Sequence, residues 1–167
     1  MNQDNTADDL NYDEEKKTKL PSGLNVLTIL TFIGCAWELY SNVSNFFGGK
    51  KSLEEFEKSQ EKLAEAPAWA RKLAGPEVHE MMVQALDNKV PLLIIGMVAT
   101  LLCIYGALQM RKLKKEGYIL WLVGEILPYV STAIFLPAFF NTIFVYFAII
   151  PVIFIILYTM QRKHLVK

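Results

Sequence analysis

The sequence predicts an all-α integral membrane protein: four transmembrane helices, with an extracytoplasmic amphipathic helical hairpin between the first and the second. Three observations predict it. The apolar residues, 53% of 167, are gathered into blocks instead of recurring with a soluble helix's period. Four blocks approach the ~20 residues a helix needs to cross a bilayer, and only Glu38 and Glu125 are charged inside them. Between the second and third blocks a short loop carries Arg111, Lys112, Lys114 and Lys115, and short basic loops stay on the cytoplasmic side.

Residues 1–19 form an acidic tail, with Asp4, Asp8, Asp9, Asp13, Glu14 and Glu15 ahead of Lys16, Lys17 and Lys19, a composition expected of a disordered segment. The first span covers residues 20–47. Its basic lead-in, and Phe32-Ile33-Gly34-Cys35 inside it, resemble a signal peptide with a degenerate lipoprotein cleavage box. The long acidic start and the apolar run that continues past Cys35 to Phe47 favour a retained anchor.

Residues 48–89 form the insertion. Gly48-Gly49 reads as the stop of the first span, and Ser52-Leu53-Glu54-Glu55 as a capping box that opens a new helix from residue 53 to 66. Pro67 interrupts it, and Trp69, Ala70 and Leu73 make a short apolar turn. Pro76 suits the first turn of a second helix. There Val78, Met81, Met82, Ala85 and Leu86 recur at helical spacing, with Glu77, Glu80, Gln84 and Asp87 opposite. Such a stripe is buried within its own hairpin or meets a partner. An acidic polar face argues against a helix lying on lipid. His79, on the polar side, reads as a solvated residue. Pro91 is expected to separate this helix from the second span.

The second span is residues 90–110, the basic loop 111–117, the third span 118–140 and the fourth 142–160, with a turn at Asn141 and a basic tail at 161–167. With the basic loop inside, alternation puts both termini inside and the insertion outside. Tyr118, Trp121 and Tyr158 then fall towards the inner interface, Trp37 and Tyr40 towards the outer one. Pro128, Pro137 and Pro151 are expected to kink the third and fourth spans.

Glu125 and Glu38 are the candidate functional residues within the membrane. A charged side chain at a span centre costs about 2.5–3.5 kcal/mol on insertion scales. Glu125 is expected about 10 Å in from Tyr118 at helical rise, as a proton or cation site, a polar lock, or a snorkelling residue paired with Arg111 or Lys112. Glu38 is placed nearer the outer interface, so the two acids are not expected to share a site. Gly96, Ala99, Cys103 and Ala107 form a small-residue stripe suited to helix packing within the chain or between two copies. Cys35 and Cys103 are expected at different depths, as small apolar side chains.

No phosphate loop, dinucleotide-binding glycine pattern or zinc-protease motif is present. No metal site or cofactor is expected, and no basic patch suggests nucleic acid. Leu20-Pro21-Ser22-Gly23-Leu24-Asn25-Val26-Leu27, and the run from Gly106 through Arg111-Lys112-Leu113-Lys114-Lys115 to Tyr118, resemble segments of small four-span bacterial membrane proteins without assigned activity. That resemblance implies a bacterial inner membrane. The expected function is non-enzymatic: binding, as an accessory subunit, scaffold or immunity-like factor, with the lipid bilayer, a membrane-protein partner or a second copy as partners. The alternative is a small channel or proton-linked transporter that uses Glu125.

Overall fold

A computed structural model describes residues 20–63, 65, 67, 68, 71, 75–138 and 144–166. The expectations for the tail 1–19, for Trp69, Ala70 and Leu73, and for the turn at Asn141 fall outside these residues. Among the described residues all regular structure is helical: α1 (Ser22–Leu63), α2 (Pro76–Asp87), α3 (Lys89–Arg111), α4 (Lys115–Phe135) and α5 (Phe144–Gln161), followed by a 3-10 turn at Arg162–His164.

Helix α1 corrects the reading of Gly48-Gly49 and of the capping box. It is continuous for 42 residues, about 60 Å at helical rise, so the first apolar span and the first helix of the insertion are one rod. A glycine stops a helix by entering the left-handed region, and no described glycine does so. The Ser52 hydroxyl donates back to the Gly48 carbonyl (3.2 Å) inside the helix instead of accepting from a first-turn amide. Gly49 serves a different purpose. A Cβ there would come 3.0 Å from Leu86 Cδ2, so its bare backbone lets α2 approach.

Helix α2 runs back antiparallel to the C-terminal half of α1. Leu86 meets Gly49 near one end, and near the other His79 contacts Glu57 (Nε2–Oε1 3.0 Å) and the Phe56 ring (6.4 Å between centroids). His79 is thus a joint of the hairpin rather than a freely solvated side chain. The break before α3 lies at Asn88, not at Pro91. The Asn88 amide and its Nδ2 both donate to Gln84 O (3.1 and 2.9 Å), closing α2. Pro91 sits in the first turn of α3, where its missing N–H leaves no bond unmade.

Helices α3 and α4 form the tightest pair, joined by only Lys112–Lys114, so the loop is shorter than residues 111–117. The turn closes by the two-bond pattern of a helix C-terminus: Lys114 N–H to Gln109 O (3.1 Å) and Leu113 N–H to Met110 O (2.9 Å). The left-handed position is filled by Leu113 (φ 58°), not glycine. At its other end α4 stops at Phe135, short of the expected residue 140. Leu136 precedes Pro137, and a residue before proline is disfavoured in the α region. Pro137 therefore ends this helix instead of kinking it.

Among the described residues three helices are long and apolar enough to cross a membrane, where four were expected: the Ser22–Ser59 part of α1, α3 and α4. The stretch expected as the fourth, 142–160, opens on residues outside the described set, and α5 is described from Phe144.

At the end marked by the Lys112–Lys114 turn, α1, α3, α4 and α5 meet in a dense core. Trp121 and Tyr158 stack with ring centroids 4.4 Å apart, and Leu24, Met110 and Thr28 are fully enclosed beside them. Tyr118, Trp121 and Tyr158, expected as an interfacial belt, are instead buried in this core. Two pairs of its hydroxyls bond to each other: Thr31 Oγ1 with Tyr158 OH (2.8 Å), and Tyr118 OH with Thr159 Oγ1 (2.8 Å). Trp37 and Tyr40 are largely exposed on α1.

Candidate functional site

The helix register is set at the turn end. Arg111 Nη1 donates to Asn25 Oδ1 (2.8 Å) and Thr28 Oγ1 (2.9 Å), which levels the end of α3 with the first turns of α1. Arg111 is thereby spent on α1 and does not pair with Glu125. About eight residues further along each antiparallel helix lie Cys103 and Cys35, and equal steps of about 1.5 Å keep them level. Both are buried, in one and the same core cluster. The expectation of different depths is corrected here. It counted from the edges of the apolar run, whereas the Arg111 contacts fix the offset.

The acids come to nearly the same level. The Cys103 thiol reaches Trp121 O (3.7 Å) and Glu125 Oε2 (4.0 Å) across the α3–α4 contact. Glu38 lies one turn beyond Cys35 on α1, and Glu125 lies against Cys103, so helical rise puts the two acids within about one turn of each other in depth. The two carboxyl groups, expected apart, thus belong to a polar layer about one turn deep. Among the described residues the ion pairs are Lys51–Glu55 and His79–Glu57, and neither includes an acid of this layer.

From Glu38 towards the hairpin the helices part around a cavity of about 390 Å³, within the ~300–1,000 Å³ range of small-molecule sites. Its polar lining is Glu38, Asn42, Asn45 and Ser52 from α1, Ser131 and Thr132 from α4, and Lys89 at the start of α3. Its roof is apolar: Met81, Met82, Ala85 and Leu86 of α2. Asn42 Nδ2 is buried there without a hydrogen-bond partner. Ser131 and Thr132 both donate to Pro128 O (2.8 and 2.7 Å), which leaves their oxygens as acceptors facing this region.

Of the residues singled out from sequence, Glu38 lines the cavity and Glu125 does not. The α2 stripe folds inward. Four of its five members form the roof, and Val78, one turn earlier, is half-buried outside the cavity lining. The small-residue stripe divides between two neighbours. Gly96 faces α1, where a Cβ would lie 2.8 Å from Asn42 Nδ2, and Ala99 and Cys103 face Gly124 of α4. Ala107 is fully buried.

Gly106, which neighbours the small-residue stripe, belongs to the α3–α4 contact, where a Cβ would lie 2.5 Å from Trp121 N. Sequence reasoning missed Gly117 of the same contact, where a Cβ would lie 2.6 Å from Met110 N. It also missed Asn42, whose i, i+4 spacing from Glu38 on a helix was the available signal.

The chain matches no protein family, no curated protein and no solved structure.

Proposed function

We propose that the chain is a non-enzymatic integral membrane protein that acts by binding, and that the cavity under α2 is its binding site. The observation that carries this reading is the roof: an amphipathic helix spends its apolar stripe on covering a polar-floored cavity instead of presenting it to solvent. In this reading α5 makes the fourth crossing. It is 18 residues long and without charge, about 27 Å at helical rise against a ~30 Å hydrocarbon core. The basic turn and both termini face the cytoplasm, with a bacterial inner membrane as the setting. Occupancy of the cavity then signals to a membrane-protein partner or a second copy, the role of an accessory subunit, scaffold or immunity-like factor.

Native mass spectrometry of protein released from its own membrane in mild detergent tests this. Wild type is expected to carry a small-molecule adduct that Ala85→Phe, which fills the cavity from the roof, loses. Adduct-free wild type, or an adduct unchanged in the variant, would overturn the reading.

One observation favours a second reading, a proton-linked transporter or small channel using Glu125: its carboxyl lies within about one helical turn of Glu38 in depth, and among the described residues no cation pairs with either. Reconstituted vesicles with no ion or proton flux above empty ones would remove it. Flux abolished by Glu125→Gln with folding intact would support it.

A further inference from the structure

Taking the cavity as the binding site, we infer the chemical class of its ligand: an amphiphilic amino alcohol, its ammonium on Glu38, its hydroxyl on Asn42 and its apolar tail under α2. Each part follows from what the lining leaves unmet. Glu38 is an acid in the cavity lining, at the end away from Lys89 along α1, and it takes part in neither ion pair found among the described residues. A cation supplied by a ligand meets that need, since an unpaired charge away from water is costly. Asn42 Nδ2 is a buried donor with no acceptor, held over the bare backbone of Gly96. A bare amine cannot serve it, because an ammonium group has no lone pair to offer.

Glu38 and Asn42 are four apart on α1, so they stack on one face with Cβ atoms about 5–6 Å apart. An ammonium and a hydroxyl on adjacent carbons, each adding one hydrogen-bond length, span that separation. Beyond Asn42 the lining gains a large apolar share, with Phe46 of α1 and Met81, Met82 and Leu86 of the roof beside the polar Asn45 and Ser52. Lys89 lies at this outer end, its ammonium over the Phe46 ring (5.4 Å to the centroid). It repels a second cation, so the ligand's charged end is directed inward to Glu38 and its tail outward.

The test is calorimetry on the full chain in phosphatidylcholine nanodiscs, with empty discs as reference and 1-amino-2-octanol, octylamine and 2-octanol as probes. The amino alcohol is expected to bind most tightly, octylamine several-fold more weakly, and 2-octanol at least tenfold more weakly than the amino alcohol. Glu38→Gln is expected to weaken both amines at least tenfold and leave 2-octanol unchanged. Asn42→Ala is expected to abolish the advantage of the amino alcohol over octylamine. The three-probe ranking on wild type needs no variant to fold. If 2-octanol binds as tightly as the amines, or if Asn42→Ala preserves the advantage, the assigned class is wrong. A native adduct displaced by Ala85→Phe would in that case still leave the cavity as the binding site.

Discussion

The Val166 amide donates to the Leu113 carbonyl at 3.0 Å, pinning the end of the chain onto the α3–α4 turn. Leu113 is an unusual anchor. Its backbone is left-handed, which costs a non-glycine residue about 1–2 kcal/mol. Its side chain is buried in the same core as Tyr118 and Trp121, and Leu165 is buried beside it. Here a turn that by backbone preference calls for glycine keeps leucine because packing outweighs strain.

That balance gives the first prediction. Leu113→Gly removes the strain but deletes a buried side chain, and truncation of a buried leucine costs about 2–5 kcal/mol. Leu113→Ala loses the packing and keeps the strain. Thermal unfolding in detergent is expected to rank wild type above Leu113→Gly and Leu113→Gly above Leu113→Ala. A glycine variant as stable as wild type would mean that the side chain contributes nothing to the turn.

The glycines separate into two kinds. A Cβ on Gly117 or Gly124 would meet backbone of α3, at 2.6 Å from Met110 N or 2.8 Å from Ala99 O, so the helices must move apart. At Gly34 and Gly48 nothing lies within 4 Å. Gly117→Ala and Gly124→Ala are therefore expected to destabilise by about 1–3 kcal/mol, as overpacking does. Gly34→Ala and Gly48→Ala are expected to be neutral or to stabilise by up to about 1 kcal/mol, through the better helix propensity of alanine. Unfolding midpoints of the four variants check this, and equal effects at all four positions would contradict the contact geometry.

The apolar blocks were legible because the pattern that fills a membrane span is coarse: about 20 residues without charge, whatever their partners. The α2 stripe was legible too, since its period is local to one helix. What the stripe covers was not, because the cavity needs α1, α3 and α4 at a particular offset, and offset is a property of contacts. Arg111 shows why. Its charge marked a loop, but its bonds to Asn25 and Thr28 decide which turn of α1 faces which turn of α3. Gly48-Gly49 misled for a related reason. Two glycines in sequence look the same whether they end a helix or let another helix lie against it.

The same offset yields the last prediction. Placing Cys35 and Cys103 level in one buried cluster requires α1 and α3 to be in the register set by Arg111. A disulfide needs Cβ atoms about 3.5–4.5 Å apart, so a slip of one helical turn, about 5.4 Å, would prevent it. Copper-phenanthroline oxidation in membranes is expected to join Cys35 and Cys103 within one chain. The product is read as loss of both maleimide-reactive thiols after denaturation, restored by reductant. Arg111→Ala, which removes the two bonds that level the helices, is expected to slow the reaction. If wild type forms no intramolecular disulfide while an introduced neighbouring pair one turn away does, the register is wrong, and with it the shared layer of Glu38 and Glu125.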